Sequence, residues 1–158
     1  PYHTTNGTVS IEADANASYT RFISVETSSI QSPYESWTAA YGVTGLATED
    51  DDSDGMDNFL EYALNGDPTN ASVKGQALQV ADQGANLFKF IHAKLANDSS
   101  VTYRLLDTTD LILGSVSTNG YISQDESSAL DDYITVTNTY DMSVKPAQFI
   151  ELEIEGDE

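Results

Sequence analysis

Twelve consecutive residues concentrate the chemistry of this chain: Asp50-Asp51-Asp52-Ser53-Asp54-Gly55-Met56-Asp57-Asn58-Phe59-Leu60-Glu61. Carboxylates fall on alternate residues at Asp50, Asp52 and Asp54. Gly55 permits a sharp turn, and Glu61 stands at the twelfth position. Ca2+ takes six to eight hard oxygen ligands at about 2.3–2.6 Å with little angular demand, which suits a loop curling around the ion. In that arrangement Asp50, Asp52 and Asp54 offer carboxylate oxygens, Met56 offers its backbone carbonyl, and Asn58 or a water fills the ninth position. Glu61 closes the site with both carboxylate oxygens. Mg2+ fits less well, because it dehydrates reluctantly and seldom uses an all-protein cage.

A solvated acidic turn at a helix start accounts for one or two of these acids, since carboxylates meet the helix dipole favourably there. It does not account for three alternating Asp, then Gly, then Glu at position twelve. The chain has one such loop and two Met, whereas a calcium switch pairs two hands around a Met-rich groove. A constitutive structural ion is the expectation.

Two helices flank the loop in the sequence. Ser32-Pro33-Tyr34-Glu35 has the form of a capping box, with Pro at the first helical position. Tyr34, Trp37 and Tyr41 then share a face, and Gly42 ends the helix. A second helix is predicted from about Met56 to Leu64. Met56, Phe59, Leu60, Ala63 and Leu64 form its apolar stripe, and Asn65-Gly66-Asp67-Pro68 forms its exit.

The rest reads as strand. Near the N-terminus, Val9 and Ile11 alternate with polar neighbours, as do Tyr19, Arg21, Ile23 and Val25. Further strands are predicted at 77–81, 87–93, 101–106, 133–139 and 148–155. In the last of these, Ile150, Leu152 and Ile154 oppose Glu151, Glu153 and Glu155. Turn signals at Asp82-Gln83-Gly84, Ala96–Ser100 and Asn119-Gly120 space the strands as in a sandwich. The expected fold is mainly β, a β-sandwich with a short two-helix calcium-binding insert. Its parts are an N-terminal β segment (1–31), helix–calcium loop–helix (32–68) and a β-sandwich (69–158).

Trp37-Thr38-Ala39-Ala40-Tyr41-Gly42, the acidic loop, and Glu61-Tyr62-Ala63-Leu64-Asn65-Gly66-Asp67-Pro68 together resemble a calcium-binding module of secreted bacterial proteins. Over residues 34–68 it is similar in its calcium logic to thrombospondin type 3 repeats and to single dockerin-like EF-hand loops. The resemblance implies export and calcium binding, and it implies no catalysis.

Composition narrows the partners. Asp and Glu number 26 against six Lys and Arg, a net charge of -20. Such a surface repels nucleic acid and anionic lipid and attracts cations. No apolar run reaches the length of a membrane span. The chain has no cysteine, which excludes disulfides and thiolate zinc sites and fits an exported bacterial protein stabilised by metal. A start at Pro1 rather than Met predicts that a leader has been removed. Sequons at Asn6, Asn16, Asn70 and Asn97 are candidate glycan acceptors.

No enzyme is expected. The two histidines, His3 and His92, lack a catalytic partner pattern, and neither a phosphate loop nor a nucleophile elbow occurs. The expected role is an extracellular or cell-surface structural subunit, stabilised by calcium, that self-associates into a fibre polymer. Strand donation from near Thr8–Asp14 or Ser18–Thr27 would link its copies. The alternative is a carbohydrate-binding or spacer module of a larger secreted polysaccharide-active enzyme. Trp37, the only tryptophan, reads as core in either case.

Overall fold

Ser32 sets the first helix in a computed structural model of the chain. Its hydroxyl accepts from the Glu35 N–H at 3.1 Å, and the Glu35 carboxylate accepts from the Ser32 N–H at 2.8 Å. Helix α1 (Pro33–Tyr41) then runs to Gly42, which closes it with a φ of 72°. Glycine tolerates that left-handed region without strain. Helix α2 (Asn58–Leu64) is capped by Asp57, whose Oδ1 accepts from the Leu60 N–H at 2.8 Å. It ends at Asn65 with φ 62°. The predicted start at Met56 is therefore two residues early. Asp57 bends the chain into its cap and leaves Met56 in the loop.

The structure describes residues 3–5, 8–10, 31–82, 86–112, 114, 116–118, 120–143 and 148–156. The chain divides into two units, Pro1–Ile30 and Gln31–Glu158. In the first, β1 (His3–Thr5) and β2 (Thr8–Ser10) form an antiparallel hairpin, pairing Thr4 with Val9. The sequence joining them is Asn6-Gly7, the dipeptide most favoured in two-residue hairpins. The expected strand around Tyr19–Val25 lies outside the described residues, as do Ile11, Gln83, Gly84 and Asn119.

The second unit is mainly β, with two antiparallel sheets beside the two helices. One sheet holds β3 (Ala77–Asp82), β4 (Leu87–Leu95), β8 (Tyr133–Asp141) and β7 (Ser123–Glu126), in that order. The other has the order β6 (Ser117–Thr118), β5 (Val101–Thr108), β9 (Phe149–Gly156). All five strands predicted in this region form, each running one to two residues past its expected end. β6 and β7 were not expected. Their residues are exposed and polar, and they are held by main-chain pairing together with a few polar side-chain bonds, such as Gln124 Nε2 to Asn138 Oδ1 at 2.7 Å and Lys94 to Glu126 at 3.1 Å.

Alternation decides what each strand buries. Phe88, Phe90 and His92 of β4 stand opposite Tyr140, Asn138 and Val136 of β8. Phe90, Tyr140 and Leu105 form one apolar cluster, against which Ile150 and Leu152 of β9 pack. On the outer face of the second sheet, Arg104 pairs with Glu153 at 3.0 Å and with Glu155. A second cluster, Tyr62, Ala63, Leu95 and Val101, joins α2 to both sheets. Tyr34, Trp37 and Phe59 pack against it half-buried. Trp37, expected as core, is thus only partly covered, because α1 lays a single face on Tyr62 and buries no residue fully. The predicted stripe of α2 is also too narrow. Tyr62 is 4% exposed, and Asn58 and Glu61 are 0% exposed.

Candidate metal centre

The acidic loop is built by its own carboxylates. Asp50 accepts from the Asp54 N–H through Oδ1 at 3.2 Å and from the Gly55 N–H through Oδ2 at 2.8 Å. Asp52 Oδ1 accepts from the same Asp54 N–H at 3.1 Å, and Asp54 Oδ1 accepts from the Met56 N–H at 2.8 Å. Ser53 and Gly55 take positive φ values of 65° and 94°, which curl the backbone around the acids. Outer carbonyls hold the loop against α2. Asn58 N–H donates to Glu49 O at 2.8 Å and Phe59 N–H to Ala47 O at 3.0 Å. These bonds satisfy N–H groups that a helix start leaves open.

The result is convergence. One carboxylate oxygen from each of Asp50, Asp52 and Asp54 lies within 4.8 Å of the other two, and this cluster could hold a metal ion. Glu61, one turn into α2, is fully buried. Neither Oε1 nor Oε2 has a hydrogen-bond partner among the described residues, and the same holds for Asp52 Oδ2, Asp54 Oδ2 and Asn58 Oδ1. Asn58 is oriented by its amide nitrogen, which donates to Leu46 O at 3.0 Å and to Asp51 Oδ1 at 3.2 Å. Buried carboxylate oxygens without donors are expensive, since burial strips their water. This donor set of hard oxygens, anionic at Asp52, Asp54 and Glu61 and neutral at Asn58, fits a hard divalent cation. Met56 stands beside Asp54, with its N–H engaged as above.

The electrostatics carry the same signature. The carboxyl of Glu61 is pushed up to about 7, first by burial and then by the charges of Asp52, Asp54 and Asp50. Asp52 is also raised, by burial and by Asp54. Asp50 is lowered, chiefly by the Gly55 N–H. Without a cation these carboxylates oppose one another's ionisation. The one described ammonium nearby is Lys74, whose Nζ lies 3.9 Å from Asp54 Oδ2 and donates to the Asp54 carbonyl.

Sequence reasoning missed the groups that lock the site to the sheets. An α-helix leaves its last four carbonyls open, and in α2 each finds a donor. Glu61 O accepts from Gly66 N–H at 2.8 Å, and Leu64 O accepts from Gln76 N–H at 2.7 Å. Tyr62 O accepts from the Tyr133 hydroxyl of β8 at 2.7 Å. Ala63 O accepts from the Tyr103 hydroxyl of β5 at 2.8 Å. The Tyr62 hydroxyl itself donates to Asp98 Oδ2 at 2.5 Å. Burial, followed by that bond, raises its pKa far above the usual phenol range. Sequence reasoning also missed the role of Gly66. A Cβ there would lie 2.9 Å from Glu61 Oε1, so only glycine leaves the carboxylate its place.

His92 lies apart from the acidic loop. It is 3% exposed, stacked on Tyr103 with ring centroids 5.8 Å apart, and its Nδ1 lies 2.9 Å from Ala93 O. Burial lowers its pKa, so the ring is neutral at pH 7. Of the four sequons, Asn70 and Asn97 are exposed in loops, while Asn6 and Asn16 lie outside the described residues. No helix among the described residues is long and apolar enough to cross a membrane.

Comparison with protein-family models, with curated proteins and with solved structures returns no match.

Proposed function

We propose that the loop binds one Ca2+ through Asp50, Asp52, Asp54, the Met56 carbonyl, Asn58 and Glu61, and that the ion is structural. The observation that carries this reading is Glu61, fully buried with two unpartnered oxygens. It stands at the position where a calcium loop supplies its bidentate ligand. A bound cation would offset the mutual repulsion of the acids and fix α2, which the bonds from Tyr133 to Tyr62 O and from Tyr103 to Ala63 O tie onward to the sheets. Calcium would thus rigidify a sandwich formed by the two sheets rather than open a signalling groove.

On this reading the chain is an extracellular, cell-surface structural subunit of a bacterial fibre, assembled by strand donation between copies. Support comes from the acidic, cysteine-free composition, the resemblance over residues 34–68, and sheet edges that have no covering strand among the described residues. An uncovered edge is a template for another chain. β3 is one such edge, with Leu78 53% and Val80 40% exposed. Negative-stain microscopy and light scattering of the native chain test the reading. Filaments in calcium that disperse in EDTA support it, and a stable monomer at high concentration in calcium contradicts it. Glycans on the exposed Asn70 and Asn97, and on Asn6 and Asn16, would add mass to the native protein. An intact mass above the 17.1 kDa of the polypeptide would reveal them.

A second reading, an accessory carbohydrate-binding module, draws on one observation. Trp37 and Tyr133 border a hollow of about 480 Å³ together with Asn97, Asp98 and Asp132. Aromatic faces beside carboxylates suit a neutral saccharide. Quenching of Trp37 fluorescence by neutral oligosaccharides at millimolar concentration supports this reading, and an unchanged spectrum removes it.

A further inference from the structure

We propose that the open edge of β5 is an acceptor groove for an added β-strand, and that the strand is Ser18–Thr27 of a second copy of this chain. Strand β5 pairs with β9 along its full length, from Val101↔Gly156 to Thr108↔Phe149. On its other side only Leu106 and Asp107 pair, with the two-residue β6. Val101–Leu105 has no strand beside it on that side among the described residues. In the opposing sheet, β7 is the edge strand and all four of its residues are exposed.

Between these edges lies a groove of about 360 Å³, lined by His92, Val101, Tyr103, Leu105, Gln124 and Val136. Protein interiors pack like organic crystals, with few voids larger than a water molecule. A groove of this size between two sheets is room for side chains that come from elsewhere. The main-chain groups of Val101–Leu105 also call for a hydrogen-bonding partner, which a strand alone supplies along its whole length.

The sequence narrows the occupant. Thr8–Ser10, the start of the other candidate segment Thr8–Asp14, is already paired with His3–Thr5 in the β1–β2 hairpin. Ser18–Thr27 keeps the period of two expected of a strand, with Tyr19, Arg21, Ile23 and Val25 on one face. It is also longer than the open stretch of β5. Charge agrees. Ser18–Thr27 carries Arg21 against Glu26, one positive and one negative, so it adds no net charge against a chain of -20. Supply by a second copy rests on the fibre reading above. Such a contact is heterologous, and wherever it does not close into a ring it propagates into a filament.

The chain has no cysteine, so introduced thiols are unique. Thr102→Cys, on the exposed side of β5, is combined with Thr20→Cys or Ser24→Cys, and assembled material is oxidised and run on a non-reducing gel. A ladder of cross-linked multimers is expected. Leu78→Cys on β3 replaces Thr102→Cys as the control and should give only uncross-linked chain. Filaments that cross-link through Leu78 but not Thr102 would overturn the groove assignment and leave the fibre reading standing. A cross-link confined to single chains would overturn donation between copies. Failure of the wild type to assemble in calcium would remove the fibre reading itself. Hydrogen exchange on wild-type protein is a check that needs no variant. The amides of Thr102–Leu105 should slow at least tenfold on assembly, and unchanged exchange in filaments would overturn the groove.

Discussion

The hydroxyl of Tyr103 sits between two main chains, donating to Ala63 O at 2.8 Å and accepting from Leu95 N–H at 3.2 Å. One phenol thereby joins the last turn of α2 to β4 from a position on β5. Because Glu61 is on that same short helix, a group distant in sequence helps to position the candidate metal loop.

Tyr103→Phe removes this bridge while keeping the ring. Two main-chain groups lose their partner, each costing about 1–3 kcal/mol when buried. We expect a destabilisation of about 2 kcal/mol by urea denaturation, with weaker calcium binding. Tyr133→Phe should act in the same direction through Tyr62 O. Stability unchanged in both variants would show that α2 is held by apolar packing alone.

Gly66→Ala tests the space around Glu61 without replacing a proposed ligand. The new methyl would lie 2.9 Å from Glu61 Oε1 and displace the carboxylate. Calcium affinity should fall about tenfold, or 1.4 kcal/mol, with secondary structure by circular dichroism retained. Wild-type affinity in this variant would mean that Glu61 does not close the site.

If the loop binds calcium as proposed, the pH dependence should have opposite signs with and without the ion. In ion-free protein the Glu61 carboxyl titrates at about 7, above its ordinary value of 4.5. Its folded pKa is raised, so between these values the folded state holds more protons than the unfolded one, and stability falls as pH rises. Melting in EDTA should therefore move up as pH is lowered from 7.5 to 5.5. Calcium needs the carboxylate, so the increment that calcium adds should shrink over the same window. A chelated protein that loses stability steadily on acidification through this window contradicts the assignment of Glu61.

What could be read from the sequence was local. The capping box at Ser32, the glycine at Gly42 and the left-handed exit at Asn65 each depend on neighbours within a turn, and each appears where the residues place it. Five strands of the second unit announce themselves by alternation. The convergence of Asp50, Asp52 and Asp54 follows from their spacing and the turn at Gly55. The rest depended on partners far along the chain. The Tyr103–Ala63 and Tyr133–Tyr62 bonds span 40 and 71 residues, and no short-range pattern encodes them. The full burial of Asn58 and Glu61 was hidden for a similar reason. An apolar stripe marks the face a helix turns to the core, whereas α2 is covered on its polar side too by the loop it carries. β6 and β7 offered no apolar alternation at all.

Phe59 also shifts in weight. It contacts Tyr34 edge-on at 5.8 Å and Tyr62 at 6.4 Å, but it is only half-buried. Phe59→Ala should cost about 2 kcal/mol, below the usual range of about 3–5 kcal/mol for a buried aromatic, and Tyr62→Ala should cost more. Equal or reversed losses in thermal melts would show that the second cluster is centred on Phe59.

Calcium titration by calorimetry, run in parallel on the wild type and Glu61→Gln after exhaustive chelation, tests the central claim most directly. The wild type should bind one equivalent, and at a hundredfold excess over the dissociation constant the ion should stabilise the fold by about 2.7 kcal/mol. Glu61→Gln should lose at least tenfold in affinity and melt like the chelated wild type. No heat of binding, together with a melting temperature indifferent to calcium and EDTA, would contradict the account.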